Sequence, residues 1–458
     1  MKRSLDLGKD NLWKLTLSLA LPTALAQLVN VLYSIVDRMF IGHIAIVGDL
    51  ALAGAGVAAP IATFLTSFAT LIGLGGAPIM AMSAGNGDKR KAETIVSTAF
   101  YLLLILSLIL APLFFIFRDN FLMWFGASDT TLEYASTYIA YYLVGTPFAL
   151  ISGGMNSYLI NQGKTGKAMT AVLLGAVLNI ILDPIFIFTL DMGIRGAAIA
   201  TVISQLASSL YIIYCLRRKD MSIRLSFNLF NKSLISKIVT FGLSPFIIIS
   251  TDSVLLIALN AVLQHYGGPG EGDILITAAT IVQSYFTLLM NPLGGISAGC
   301  QGLISYNYGA GNVKRVKDGI ICAQIVATSY TIIFTLCTIF LSPLFASLFT
   351  PDPEMIVTAA KYSQIFTLLI IPLSFQYINV DQMTALGKIK FALPLSLFRK
   401  TIFFVATLSL PYFFGAAAAF WAEPICDLLS GVLSTIIMWT QLPKILRQRE
   451  QNGFMLKA

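Results

Sequence analysis

Apolar residues along this chain come in runs too long for a water-soluble core. Twelve segments of about 20 residues or more, centred near residues 28, 67, 105, 147, 179, 205, 250, 289, 330, 371, 402 and 429, are each long enough to cross ~30 Å of hydrocarbon. Each is predicted to be a transmembrane helix. The first run, 15–46, exceeds a signal-peptide core and lacks a small-residue cleavage site, so it is expected to stay in the mature chain. Polar connectors are short. The longest runs from Arg217 to Lys237, so no extramembrane domain is expected.

Composition agrees: 57% of the 458 residues are hydrophobic and 11% charged, against roughly 25% charged in an ordinary soluble domain. The five cysteines show no CxxC spacing, and with only His43 and His265 they offer no disulfide framework or zinc site. The net charge of +8 would suit nucleic acid, but its placement excludes that. With the N-terminus in the cytoplasm, the connectors on that side sum to +17 and those outside to −6. This is the positive-inside pattern of a multi-pass protein with both termini cytoplasmic, its basic excess facing the membrane's inner leaflet.

The two halves repeat. A shift of 224 residues carries Gly85 to Gly309, Gly87 to Gly311, Gly163 to Gly387 and Lys164 to Lys388. Pro22 meets Pro245 at 223, and the Gly-Ala-Ala at Gly196 meets that at Gly415 at 219. The expected fold class is an all-α polytopic membrane protein: two six-helix bundles, 1–220 and 221–458, related by pseudo-twofold symmetry along the membrane normal. Paired bundles of this kind suit alternating access.

Charges inside spans are costly and so mark candidate sites. Asp183 sits about 12 Å below the outer end of its span, and Asn179 lies one turn deeper on the same face. Pro184 frees a backbone carbonyl one turn earlier. Carboxylate, amide oxygen and carbonyl together suit a proton or a hard cation. Asp37 in the first span lies at a comparable depth, where two acids would titrate as a coupled pair. Arg38 projects ~100° away from it and cannot share one partner with it. Thr201 and Tyr138, with Tyr141 as the alternative tyrosine, lie at matching depths. In the second half, Asp252, Asp381, Glu423 and Asp427 are weaker candidates, and Arg399 and Lys400 are expected to pair with nearby carboxylates.

The sequence resembles the multidrug and toxic compound extrusion (MATE) family, prokaryotic branch, over essentially its whole length. The resemblance is carried by Leu21-Pro22, Val36-Asp37-Arg38, Ile41-Gly42-His43, the Gly85 turn, Asn179 with Asp183-Pro184, Gly163-Lys164 and Leu386-Gly387-Lys388. The major facilitator pattern after span 2 is absent, since Asp88-Lys89-Arg90 is followed by Lys91-Ala92-Glu93. The resemblance implies a cation-coupled (H⁺ or Na⁺) multidrug efflux antiporter of the cell inner membrane, a determinant of antibiotic resistance. It would export organic, mostly cationic xenobiotics as a monomer, with no cofactor beyond the coupling ion. It also implies that the span-1 acid and the Asn-x-x-x-Asp of span 5 form the cation site, with a Tyr and a Thr as hydrogen-bond partners. If the ion is Na⁺, Asp37, Asn179 and Asp183 are its ligands. One branch binds its ion on a span-7 glutamate and a span-10 aspartate; Asp252 is one residue off the first position and Asp381 too near the cytoplasmic end for the second. The alternative is a flippase of the same superfamily for lipid-linked oligosaccharides or peptidoglycan precursors, which needs several cationic residues for a pyrophosphate. An enzyme is not expected, since no nucleophile elbow, phosphate-binding loop or zinc-protease motif occurs.

Overall fold

The computed structural model describes residues 6–44, 48–124, 132–349 and 352–455. Helices account for nearly all of them, and no strand occurs among the described residues. In chain order they are α1 (Leu12–Gly42), α2 (Gly48–Gly85), α3 (Lys89–Ile116), α4 (Arg118–Trp124), α5 (Leu132–Val144), α6 (Thr146–Asn161) and α7 (Thr165–Pro184). After them come α8 (Gly193–Arg217), α9 (Ser233–Gly309), α10 (Val313–Ala346), α11 (Pro353–Phe366), α12 (Ile370–Ala385), α13 (Ile389–Phe414) and α14 (Ala422–Met455). A π-helical turn, Ile185–Thr189, follows α7, and a 3₁₀ turn, Ala416–Trp421, leads into α14.

Nine helical stretches among the described residues are long and apolar enough to cross a membrane, ten when α11 and α12, bent by 49°, count as one broken span. Two further expected spans take other forms. The one centred near 147 is the pair α5 and α6, broken at Gly145. Those near 250 and 289 lie together in α9, where the expected outer connector is itself helical. A straight helix of 77 residues would reach ~115 Å, well beyond any bilayer. Within α9, Gly268 alone has a left-handed φ, of 64°. Leu259 and Leu263 before it share one apolar cluster with Leu275, Ala279 and Val282 after it, as two neighbouring spans do. The outer faces are apolar as well: Ile333, Leu336, Phe340 and Leu344 form an exposed stripe along α10, which only lipid tails would cover.

The repeat is written into the backbone. Gly87 and Gly311 are both left-handed, as are Gly163 and Gly387, each pair one 224-residue shift apart. At each of the four a helix begins within two residues, and Asp88 caps α3 by accepting from the Lys91 N–H.

Two compact units result. One is Leu25–Ile249; the other is Met1–Ala24 with Ser250–Ala458. In the first, α2, α3, α6 and the start of α9 surround a core that includes Ile72, Met80, Leu103, Tyr158 and Ile238. The polar segment after α8 is tied to this unit: Ser226 and Asn231 N–H groups donate to Ser97 and Thr98 hydroxyls, and Tyr101 donates to the Phe227 carbonyl. On its surface Lys167, with Arg218, holds the Asp220 carboxyl below the ordinary carboxylate range. In the second unit, the N-terminal turn is held by Arg315, which donates to the Leu7 and Asp10 carbonyls, and by Asn307, which donates to Leu7.

Candidate functional site

A π turn begins two residues after Asp183. Pro184 closes α7, and the wider turn after it ends with Leu190 N–H donating to the Ile185 carbonyl, five residues back. Gly196 on α8 packs straight onto this turn. A Cβ there would lie 2.7 Å from the carbonyl carbon and oxygen of Phe186, so no larger residue allows the approach. Such π turns concentrate at functional sites because they re-aim side chains. Here the residue just ahead of the turn, Asp183, is a fully buried acid.

Around Asp183 a polar cluster assembles from four helices of one unit. Asn179 on α7 is buried and its amide donates to Asp183 Oδ1 at 3.0 Å, with a longer 3.4 Å contact to Thr201 Oγ1 on α8. From α1, the half-buried Asp37 brings its carboxyl into hydrogen-bonding reach of the Asp183 carboxyl. Tyr138 on α5 hydrogen-bonds with Thr201 and lies within electrostatic reach of Asp37. Close packing carries α5 to this place: a Cβ on Gly54 of α2 would sit 2.7 Å from Tyr134 Cβ and 2.9 Å from the Ala135 nitrogen. An apolar layer containing Ile41, Ala51, Ile187, Ile194 and Ala197 packs beside the cluster, with Tyr138 against it.

Three oxygens at this site are buried with no hydrogen-bond partner: Asp37 Oδ1, Asn179 Oδ1 and Asp183 Oδ2. All are acceptors. Two carboxyls in hydrogen-bonding contact need a proton, or a cation, between them, since two bare carboxylates only repel. No ion pair with Asp37 or Asp183 occurs among the described residues, and Arg38 is exposed. The arrangement is a site for a small positive species.

Asp37, Asn179, Asp183, Thr201 and Tyr138 are therefore brought together, while Tyr141 is not: it is 38% exposed. Three neighbours escaped the sequence reading. Tyr33 lies within electrostatic reach of both acids, and Tyr142 hydrogen-bonds with Gln205, whose Oε1 is buried and unpartnered. Each stands four residues from a named site residue, Tyr33 from Asp37, Tyr142 from Tyr138 and Gln205 from Thr201. That i,i+4 relation is the signal that finds them.

The other unit behaves differently. The Asp252 side chain lies outside the described residues. Asp381 on α12 accepts from Ser297 Oγ at 2.5 Å and hydrogen-bonds with Gln301. Arg399 on α13 pairs, as expected, with carboxylates: its Nη2 bonds Glu423 Oε1, and its Nε and Nη2 reach Asp427 Oδ1 at 3.3 and 3.1 Å. Lys400, next to it, is half-buried.

Comparison with known proteins identifies the class. The MatE family model matches residues 22–185 and 248–407. The chain belongs to that family, whose members are membrane transporters of the multidrug-efflux class rather than enzymes. Among its relatives is the multidrug export protein MepA of Staphylococcus haemolyticus (strain JCSC1435), 27% identical over 439 residues and 94% of each chain. MepA of Staphylococcus aureus (strain MSSA476) is 25% identical over 436 residues, again 94% of each. Among solved structures, a multidrug resistance MATE family transporter in an outward-facing conformation superposes with a TM-score of 0.90 at 21% identity, over 98% of this chain and 99% of the other. A MATE in complex with MaL6 gives 0.90 at 21%, over 98% and 100%. The fold is the twelve-helix MATE fold, and the chain is a multi-pass membrane protein.

Proposed function

We propose that this protein is a proton-coupled antiporter that exports organic, mostly cationic compounds, with the proton bound between Asp37 and Asp183. The carrying observation is the meeting of these carboxyls in a buried place without a basic partner, their outer oxygens unpartnered. Asn179, Thr201 and Tyr138 hold the acids in register by hydrogen bonds. Na⁺ is the competing ion, and Asp37, Asn179 and Asp183 would then be its ligands.

In this cycle the pair takes up its proton from outside, loses negative charge and with it the attraction for a bound cationic drug. Releasing the proton inside restores the charge and favours rebinding. Each inward charge contributes ~2.3 kcal/mol per 100 mV of membrane potential. The likeness to the MepA export proteins supports small-molecule cargo and a bacterial inner membrane. The charge pattern supports cytoplasmic termini, with two six-span lobes at 1–220 and 221–458, acting as a monomer. A flippase reading draws no support: a lipid pyrophosphate needs uncommitted cations, and Arg399 is engaged by two acids.

The test is efflux from proteoliposomes with imposed gradients. A pH gradient alone should drive export of a fluorescent cation such as ethidium. Export driven only by a Na⁺ gradient would replace the proton by Na⁺, and wild-type export from Asp183→Asn would remove the site altogether. Reporter fusions after Lys91 and Lys237 should be cytoplasmic; an external Lys237 would overturn the orientation.

A further inference from the structure

Within the unit Leu25–Ile249, the starts of α3 and α9 meet and leave a cavity of about 460 Å³ between them. Arg90 and Lys91 line it from the first turn of α3 and Lys237 from the start of α9, with Asn231 and Ser233 between. The acid in its wall, Asp88, is engaged: its Oδ1 accepts the Lys91 N–H and caps α3. Beside the cavity Lys89 and Glu93 pair with each other at 3.9 Å, and Lys232 adds a further positive charge. None of Arg90, Lys91 and Lys237 forms an ion pair among the described residues. The Asn231 side chain is set to donate as well, because its Oδ1 already accepts from the Ser233 N–H and hydroxyl. Such a wall suits an anion with several oxygens.

The second half of the chain shows what this position accepts. The 224-residue shift carries Asp88 to Asn312, Arg90 to Lys314 and Lys91 to Arg315. The 223-residue shift carries Leu7 to Phe230, Asp10 to Ser233 and Lys14 to Lys237. There the chain itself satisfies Arg315: Nη2 donates to the Leu7 and Asp10 carbonyls at 3.1 and 2.9 Å, and Nε donates to Asn307 Oδ1 at 3.2 Å. The matching stretch before α9 turns to α3 instead, where the Asn231 N–H donates to Thr98 Oγ1. The hydrogen bonds of Arg90 and Lys91 among the described residues use backbone atoms. Oxygen acceptors of the chain thus fill the position in one half, and the other half leaves it open to oxygens from outside the chain.

We propose that this cavity binds the phosphate of an anionic lipid headgroup, with Arg90, Lys91 and Lys237 as its counter-charges. Arg90 offers a planar fork for two phosphate oxygens, and the two lysines offer point charges. A lipid fits because Phe227 and Phe230, in the segment leading to α9, are 41% and 43% exposed. They pack on Phe100 and Tyr101 of α3, and the Arg217 guanidinium lies 4.8 Å over the Phe227 ring. Exposed phenyl rings beside exposed cations match a bilayer interface, where acyl chains adjoin phosphates. The inner leaflet follows from the orientation read from the connector charges; the phosphate chemistry does not need it, nor does it depend on coupling through Asp37 and Asp183. These cations stand at helix starts and not within a span, so they do not restore the flippase reading.

The purified full chain in a neutral detergent, titrated with fluorescently labelled short-chain phosphatidylglycerol, tests this directly. The lipid should bind more tightly than phosphatidylcholine of the same chain length; equal affinity would overturn the proposal. One basic residue beside a headgroup is worth roughly fivefold in affinity, so Arg90→Gln, Lys91→Gln and Lys237→Gln should each weaken binding by about that factor. All three side chains are exposed, so the variants should fold as the wild type does, which thermal unfolding without lipid checks. Lys314→Gln, at the copy of Arg90 in the other unit, should leave the affinity unchanged. An equal loss there would mean a diffuse basic surface and overturn the proposal, as would wild-type affinity in the Arg90 and Lys237 variants. Inorganic phosphate in millimolar excess should not displace the lipid; full displacement would assign the cavity to a soluble anion and overturn the headgroup. An external Lys237 in the reporter fusions would move the headgroup to the outer leaflet while binding in detergent persists, so failure of the orientation and failure of this site are told apart.

Discussion

In the unit Leu25–Ile249, Asp37 and Asp183 meet with no basic side chain between them; in the other unit, Glu423 and Asp427 meet on Arg399. The first pair of acids comes from α1 and α7, the second from α14 alone with its guanidinium on α13, so the clusters differ in scaffold as well as in counter-charge. On the proposed reading, a site without a tethered counter-ion takes its charge from whatever cation arrives and so responds to a gradient. Where the counter-ion is tethered, most of the charge is cancelled permanently and the acids hold helices together. One repeat thus keeps its acids available to a mobile ion, while its copy has largely internalised one.

The sharpest way to break this comparison is to neutralise each side in turn. Asp183→Asn preserves shape but leaves one carboxyl where two shared a proton, so proteoliposome export should fall to the rate of empty vesicles. The protein should still insert and purify normally, because no opposite charge is left unpaired. Asp37→Asn should match it, and the double variant should be no worse, since the two act as one unit. Arg399→Gln should show the converse. Removing one partner of a buried ion cluster leaves uncompensated acids and costs ~3–5 kcal/mol, so thermal unfolding of the purified protein should shift down strongly. Normal thermal stability in Arg399→Gln would erase the distinction between the clusters.

Much of this was legible in the sequence, for physical reasons. Asp183 with Asn179 is an i,i+4 pair inside an apolar run followed by proline, and nothing but a site or a satisfied kink tolerates that. The span boundaries follow from hydropathy; the break at Gly145 leaves no polar mark, while the Gly- and Pro-rich segment 267–273 marks a connector even though it is helical. Tyr138 and Tyr141 could not be separated by depth alone. They lie i,i+3 on α5, about 60° apart, and only packing decides which one faces α8. Tyr33, Tyr142 and Gln205 carry no charge and so did not stand out in a chain rich in such residues. Arg399 was expected to have a carboxylate partner, yet its sharing between Glu423 and Asp427 needed the helix register.

A smaller effect is expected where the first site rests on packing. Gly196→Ala places a methyl 2.7 Å from the Phe186 carbonyl carbon and oxygen, which must pull the π turn off α8. Overpacking of this kind costs ~1–3 kcal/mol. Thermal unfolding should fall by a corresponding few degrees and export should slow without vanishing, because Asp183 is displaced and not removed. In the second unit nothing packs within 4 Å of a Cβ at Gly415, where only the left-handed backbone opposes a side chain. With φ 83° and ψ 166° this backbone is one that essentially only glycine holds, so Gly415→Ala should cost ~1–3 kcal/mol through strain alone, with no neighbour displaced; unchanged thermal unfolding in Gly415→Ala would show that the turn relaxes freely.

The smallest effect separates holding a site from charging it. Thr201 reaches the first site from α8. Its hydroxyl accepts a long contact of 3.4 Å from Asn179 and hydrogen-bonds with Tyr138, while the 3.0 Å bond from Asn179 to Asp183 does not involve it. Thr201→Val keeps the volume and removes those two contacts. A neutral hydrogen bond is worth ~1 kcal/mol net, or roughly fivefold in an affinity. The proton concentration for half-maximal export should therefore rise by about that factor, while the maximal rate and the number of protons bound stay the same. If Thr201→Val instead abolished export, its hydroxyl would be a ligand of the transported ion itself, and the first site would be larger than the acid pair.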